Sequence, residues 1–382
     1  MTHINMERVR WCCEQHGMTF TDLAGELDIA DATLEQAANG KPVLSIKQLQ
    51  KIAHFFNRGL LFFLESEPVN EASFRSVQFR TITNQKPNLS PKLTALVERV
   101  EKHRAVYLNL LEDLGDEIDT GWLPDFDIKN QSIAELAESI RQWLGIDSKL
   151  TFEALREAVE AKHILVFVTN GYAGQWQVPK ESKIRGFSLY YPNYPVIAVR
   201  KQLGDGPMAF TLMHELAHLI LHRESAIDDE DDFYSYQGKE RDANHLAGLV
   251  LVPDRYLDAI DYGAFPYADV QAYDNYLKVF AKHWSVSPET ILRRMLDNGL
   301  LPQERYQAYR EWKNSLPVGE IGKSGGNRIR HKEPVRIFGQ PFVQAVMDAL
   351  SDSQITLAKA STYLDNLKIK DLRRLEETHA HI

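Results

Sequence analysis

The feature that most constrains the fold of this chain is the segment HELAH at residues 214–218. Residues four apart in an α-helix lie one turn apart on the same face, so His214 and His218 can bind one metal ion while Glu215 lies beside them. Leucine and isoleucine side chains within and after the segment give the helix an apolar face to bury. The segment therefore predicts a buried helix with a metal site; the alternative interpretation is a pair of structural histidines.

A catalytic zinc site needs a third protein ligand and an open position for water. Glu240 is the candidate, because it begins the next predicted helix after a loop long enough to bring that helix alongside. Asp242 is a rival ligand, and the competing interpretation of Glu240 is an acid that favours the helix dipole. Asn244 shares a helix face with Glu240, so one of the two could bind the metal while the other holds a metal-bound imidazole.

His222 is eight residues beyond His214, about 12 Å along a helix axis, which is too far to share an ion with it. We interpret His222 as structural or as a partner of a ligand. Zinc on two imidazoles and a carboxylate polarises a carbonyl and lowers the pKa of water. Glu215 would take the proton from that water and pass it to the leaving amine, so the residues predict metal-assisted amide hydrolysis. The group that polarises the carbonyl is left open among Tyr190, Tyr191, Tyr234, Tyr236 and His245.

Residues 228–232 form an acidic run, Asp-Asp-Glu-Asp-Asp, between the two predicted helices. The run lacks the glycine and the spaced terminal glutamate of a calcium-binding loop. We therefore expect a solvated loop that is free to move over the cleft.

Composition excludes several classes of protein. The 382 residues carry a net charge of −9, which argues against a protein that coats nucleic acid non-specifically. Cys12 and Cys13 are adjacent, and neighbouring cysteines rarely reach disulfide geometry, so we expect reduced thiols in the cytoplasm. The N-terminal residues lack the apolar core of a secretory signal, and no apolar run approaches the roughly 20 residues that span a bilayer.

Hydrophobic periodicity predicts a mostly helical α+β chain with a small sheet. Strand-like runs occur at HILVFVT, GFSLYY and PVIAVR, all before the HELAH helix. A long charged helix from about Pro91 to Leu114 is expected to have few core positions. The predicted domains are an N-terminal helical bundle (1–66), a helical connector (67–130), a mixed α+β domain (131–265), a helical extension (266–318), and a basic linker with a C-terminal helical module (319–382).

Two stretches, FTLMHELAHLILH and ERDANHLAGLVLVP, resemble the ImmA/IrrE family of metallopeptidases. The family pattern is close to F-T-x-x-H-E-L-G-H-x-x-x-H followed by E-x-x-A-N-x-F-A-x-x-L-x-x-P, with Ala217 and Leu246 here in place of the usual glycine and phenylalanine. The resemblance covers residues 130–265 and is looser to 312. It implies a zincin-like α+β fold in which His214, His218 and Glu240 bind Zn²⁺ and Glu215 is the base.

Residues 1–66 resemble a helix-turn-helix of the XRE class, with a turn at Asp28 where a left-handed backbone is common. Thr33 and Gln36 could contact DNA bases from the second helix. That helix has no Lys or Arg, however, and phosphate contacts supply most of the affinity for DNA. Specific DNA binding and a protein-contacting or dimerising role therefore both stay open.

Relatives in this family cleave or relieve repressors, so the resemblance implies a protein substrate that is itself a regulator. The alternative is an antitoxin-like protein that neutralises a PIN-like toxin by binding, with peptidase activity secondary or absent and DNA binding for autoregulation. A homodimer is compatible with either function, and neither involves a membrane.

Overall fold

A computed structural model describes residues 4–56, 58–69, 82, 85, 89–118, 121–146, 151–169, 175–179, 181–235, 237–316 and 329–379. The described chain is mostly helical and contains a four-stranded mixed sheet, so the predicted α+β class is confirmed. Within these ranges, no helix has the length and apolarity needed to cross a membrane. The chain divides into two compact units.

The N-terminal unit contains the residues up to Lys102 together with Val178–Ser182. Its first part is a bundle of short helices around one apolar cluster that includes Val9, Leu34 and Phe63. Thr19 and Ser45 begin two of the helices with reciprocal capping hydrogen bonds, which satisfy backbone N–H groups that the first turn leaves free. The elements are α1 (Met6–Glu14), α2 (Phe20–Leu27), α3 (Asp31–Ala38), α4 (Ile46–Phe55) and a 3₁₀ turn (Leu60–Phe63).

The connection between α2 and α3 has the predicted left-handed residue. Asp28 ends α2 with φ of 54°, which an aspartate adopts more readily than most residues. Leu34 of α3 is buried, whereas Gln36 is exposed and Thr33 is half-buried. The turn at Asp28 is therefore confirmed, and the two polar side chains lie on the outer part of α3.

The long helix α5 (Pro91–Leu114) forms as predicted, but the expectation of few core positions is wrong. Apolar side chains recur at helical spacing beneath the charged stripe, and they are buried. The charged residues occupy the opposite face, and their number conceals the apolar stripe when composition is averaged over the whole helix. The buried residues are Leu93, Ala95, Leu96, Val97, Val100, Tyr107, Leu110 and Leu111.

The second unit contains residues 103–177 and 183–382 and is built around the sheet. Its strand order is β1-β3-β2-β4, with β1 parallel to β3 and the other two pairs antiparallel. Three strands coincide with the predicted runs, and β4 was not predicted. The strands are β1 (Leu165–Val168), β2 (Ile184–Leu189), β3 (Val196–Val199) and β4 (Ala226–Asp229).

Alternate strand residues point to opposite faces of the sheet, and side chains on both faces are buried. Val166 and Val199 belong to the main core, which includes the HELAH helix. Phe167 points the other way and contacts Phe338 and Phe342, with ring centroids 6.1 and 6.0 Å apart. The helices are α6 (Ile133–Leu144), α7 (Phe152–Glu160), α8 (Asp205–Ala217), α9 (Gly238–Leu251), α10 (Asp254–Leu257), α11 (Tyr273–Trp284), α12 (Pro288–Asp297), α13 (Gln303–Ser315), α14 (Glu333–Ser351), α15 (Leu357–Tyr363) and α16 (Ile369–His379).

Helix α14 is held to α7 by hydrogen bonds between its backbone and a buried ion pair that lies within α7. Arg156 donates from Nε to Glu160 at 2.8 Å and from Nη1 to the carbonyl of Arg336 at 2.8 Å. Gly339 breaks α14 with φ of 82°, and a Cβ there would run into the Glu160 carboxylate. Burial raises the pKa of Glu160 by more than Arg156 lowers it, and the resulting pKa is about 7. The proposed boundary of a C-terminal module stays a prediction, but α14 packs as part of the sheet unit.

Candidate metal centre

The two histidines of HELAH converge as helical spacing predicts. His214 lies near the end of α8, and His218 begins the π-helical turn (His218–His222) that follows. Their Nε2 atoms are 3.0 Å apart, and both side chains are buried. A π turn widens the helix locally and is frequent at functional sites. The arrangement leaves both Nε2 atoms facing the same small volume.

Glu240, in the first turn of α9, brings a carboxylate to the same volume. Its Oε2 lies 3.4 Å from Nε2 of His214 and 3.3 Å from Nε2 of His218. The rival Asp242 instead pairs with its neighbour Arg241 at 2.8 Å. Of the two acids considered from the sequence, the structure therefore brings Glu240 to the histidines.

Asp228 corrects the prediction of a solvated acidic loop. It lies on β4, its side chain is 3% exposed, and its Oδ2 is 3.6 Å from Nε2 of both His214 and His218. The strand pairing sets Asp228 opposite Gly186 on β2, so both residues face α8. The start of the acidic run is therefore a buried strand, because pairing with β2 outweighs the low strand propensity of aspartate.

These four side chains fit a divalent metal ion. His214, His218, Asp228 and Glu240 each offer one donor atom, and all four atoms lie within 4.8 Å of one another. Oδ2 of Asp228 and Oε2 of Glu240 are buried without a hydrogen-bond partner in the described part of the chain. Burying carboxylate oxygens unpaired is costly, and a cation among them removes that cost. Imidazole nitrogen and carboxylate oxygen are donors that zinc accepts.

The histidines and carboxylates of the cluster shift one another's pKa values. Burial lowers the pKa of His214, but the nearby carboxylates of Asp228 and Glu240 outweigh burial and raise it to about 9. Burial raises the pKa of Glu240, and the two histidines more than reverse that effect. Without a cation, a proton on His214 would supply positive charge next to these carboxylates. A bound divalent cation would release that proton.

Glu215 occupies a close-fitting pocket beside the cluster. It is fully buried, and neither carboxylate oxygen has a hydrogen-bond partner among the described residues. Burial raises the pKa of Glu215 well above its usual value, and the neighbouring charge of Asp228 raises it further. A cation next to the carboxylate would favour its ionised form, which a general base requires.

Gly186 makes room for this carboxylate, and sequence analysis did not single it out. A Cβ on Gly186 would lie 2.6 Å from Oε1 of Glu215 and 2.7 Å from Cγ2 of Thr211. Real Cβ atoms do not approach other atoms this closely, and the buried neighbours have little freedom to move. A glycine on β2 therefore determines where Glu215 can lie.

We expect Gly186→Ala to keep the metal and to lower hydrolysis about 100-fold, since an ångström of misplacement has an effect of that size. Overpacking should also destabilise the unit by about 1–3 kcal/mol. Zinc content, melting temperature and cleavage rate would be measured together. Gly25→Ala is the matched control, because a Cβ there meets nothing within 4 Å. Wild-type rates in Gly186→Ala would contradict this role.

His222 lies next to a metal-facing histidine. Its Nδ1 is 3.1 Å from Nδ1 of His218, so the two can share one proton in a hydrogen bond. Burial and the neighbouring His218 lower the pKa of His222 to about 4, which keeps it neutral and able to accept. His222 can thereby orient His218 with its Nε2 towards the metal volume.

The sequence suggested that Asn244 holds a metal-bound imidazole, but its described hydrogen bonds go to the backbone. Its Nδ2 donates to the carbonyl of Asp232 at 3.0 Å. This bond anchors a 3₁₀ turn (Asp232–Tyr234), and Phe233 of that turn packs on His214 with ring centroids 4.4 Å apart. Asn244 therefore positions the segment that borders the site.

The candidates for polarising a carbonyl are not brought to the cluster by any described contact. Tyr191 packs on the guanidinium of Arg104 at 3.6 Å, and the ring of Tyr190 lies 6.5 Å from that of Trp122. His245 lies near Arg293 and Arg294 on the other side of α9. The side chain of Tyr234 and the whole of Tyr236 are outside the described residues. Thr33 and Gln36 belong to the N-terminal unit and form no part of this centre.

Comparison with known proteins agrees with this geometry. Residues 177–296 match the family model of the IrrE N-terminal-like domain, Peptidase_M78. The match includes β2, β3, β4, α8 and α9, and it extends past residue 265, the predicted end of the domain. It supports the ImmA/IrrE part of the resemblance, whereas the N-terminal helices lie outside it. No curated protein matches the chain.

Proposed function

We propose that the second unit is a zinc-dependent endopeptidase. The observation that carries this proposal is the convergence of two imidazoles and two carboxylates within 4.8 Å, with the buried Glu215 beside them. The family match to a metallopeptidase domain supports the same assignment. His214, His218 and Glu240 would hold the metal, with Asp228 as a further donor.

Zinc in this position would polarise a peptide carbonyl and lower the pKa of the attacking water. Glu215 would accept a proton from that water on a carboxylate oxygen and deliver it to the departing amide nitrogen. The pocket under Gly186 fixes the carboxylate and excludes solvent from its buried side. His222 would keep His218 oriented during the reaction.

We propose a regulator protein as the substrate, recognised by the N-terminal bundle. The outer part of α3 presents Asp31, Glu35 and Gln36, all exposed. Residues 1–66 hold eight Asp and Glu against six Lys and Arg, which disfavours phosphate contacts. This charge balance favours a protein surface as the partner over DNA.

A survey of new protein N-termini tests the peptidase assignment in cells that express the chain. We expect a small set of cleavage sites with wild type and none with Glu215→Gln. The same cut sites in both would show that another enzyme makes them and would contradict the proposal. Retention of the biological effect by Glu215→Gln would instead favour the antitoxin-like function, to which the acidic α3 is also suited.

A further inference from the structure

We infer that Asp228 closes the metal centre: its carboxylate occupies the position that a catalytic zinc site leaves open for water, and β4 must withdraw before substrate is cleaved. This inference rests on the proposed metallopeptidase function and adds regulation to it. The supporting observations are the donor geometry, the burial of Asp228 and the position of β4 in the sheet.

Five of the six donor separations are close to those of a four-ligand site. Zinc bonds of about 2.0–2.1 Å in a tetrahedron place the ligand atoms about 3.3–3.4 Å apart. The two histidine Nε2 atoms are separated by 3.0 Å, and Oε2 of Glu240 is 3.4 and 3.3 Å from them. Oδ2 of Asp228 is 3.6 Å from both. Oδ2 of Asp228 therefore lies beside the same small volume as the other three donors, and all four atoms are within 4.8 Å of one another.

Asp228 is also the more deeply buried of the two carboxylates. Its side chain is 3% exposed, against 27% for Glu240. Like Oε2 of Glu240, its Oδ2 has no hydrogen-bond partner in the described ranges. A carboxylate oxygen buried without a partner is strongly unfavourable unless a cation lies next to it. Backbone pairing with Gly186 holds Asp228 in place, so its side chain points to the histidines and not to solvent.

Four protein ligands and no open position are typical of structural zinc sites, whereas catalytic sites have three protein ligands. The centre as it stands thus combines a catalytic base, Glu215, with a closed ligand set. The strand that closes it can be released, because β4 has four residues and lies at the end of the strand order, paired with β2. Its pairing is already irregular between Ile184 and Gly186.

Azide binding to the cobalt(II)-substituted full-length chain tests this inference without any substrate. Azide enters an open coordination position and changes the visible spectrum of cobalt. We expect no azide-dependent change in wild type and a clear, saturable change in Asp228→Ala. We also expect metal affinity, measured by chelator competition, to fall at least about tenfold in Asp228→Ala, since even residues outside the ligand set have such effects.

Two further variants keep the result interpretable. Asp228→Asn preserves the side-chain shape and should also admit azide, which separates loss of a ligand from local unfolding. Asp229→Ala changes the neighbouring acid on the same strand and should behave as wild type. Azide binding to wild type as strong as to Asp228→Ala would overturn the inference while leaving the metal centre intact. Unchanged metal affinity in Asp228→Ala would also overturn it. Failure of wild type to bind cobalt or zinc would overturn the proposed function as well.

Discussion

Glu215→Gln is expected to bind zinc as wild type does and to lose hydrolysis by about 10²–10⁴-fold, the usual contribution of a positioned proton-transfer group. Gln has nearly the same shape and should fit the pocket under Gly186, but its amide cannot take a proton from water. The variant removes a buried carboxyl with a raised pKa, so its folding should not suffer. Zinc content and the cleavage rate of a substrate found in the N-terminal survey would be measured on the same preparations.

Glu224→Gln is the matched control, because Glu224 is exposed and pairs with Lys239 outside the cluster. It should cleave at the wild-type rate. Cleavage by Glu215→Gln within a few-fold of wild type would exclude Glu215 as the base. Loss of zinc from Glu215→Gln would show that the carboxylate holds the metal instead of acting on water.

His218→Ala should have the largest effect on metal binding. It removes one donor from the centre and leaves His222 without its hydrogen-bond partner. We expect zinc affinity to fall more than about 10²-fold, beyond the effect of changing a residue that only supports a ligand. Zinc at 100 times the wild-type Kd should stabilise wild type by about 2.7 kcal/mol and the variant by no more than about 0.4 kcal/mol. Chelator competition and thermal unfolding with and without zinc measure these effects.

Two further variants serve as comparisons for His218→Ala: His222→Ala should have an intermediate effect on zinc affinity, and His283→Ala is the control. His222 contacts His218, so His222→Ala should weaken zinc binding by about 10–100-fold. His283, on α11, contacts no residue of the cluster in the described contacts, and its replacement should leave affinity unchanged. Equal zinc affinity in wild type and His218→Ala would place the metal elsewhere.

Local spacing explains which parts of the centre were predictable. His214, Glu215 and His218 are related by the helical repeat alone, so their relative positions follow once the helix forms. Glu240 required only the further assumption that the next helix packs alongside. The three apolar strands were likewise recognisable from their composition.

Asp228 and Gly186 were missed because their roles come from strand pairing between distant segments. Asp228 lies in an acidic run that is typical of a solvated loop, and it is buried because its strand pairs with β2. One signal was present: the apolar pair Ala226-Ile227 directly precedes it and begins the strand. Gly186 had no local signal at all, since its importance lies in the atoms that a Cβ would meet across to α8.

The buried stripe of α5 was missed for a different reason. Its charged residues are frequent enough to dominate the composition, although Leu93, Val97 and Val100 follow helical spacing. Counting apolar positions on one face, and not over the whole helix, would have predicted its burial.

The central claim is that this chain holds one zinc ion at the cluster of His214, His218, Asp228 and Glu240. Metal analysis of the purified, zinc-loaded wild-type chain beside His214→Ala tests it most directly. We predict about one zinc per chain in wild type, as four converging protein donors imply, and none in His214→Ala. A well-folded wild type without zinc, or zinc retained in full by His214→Ala, would contradict the account.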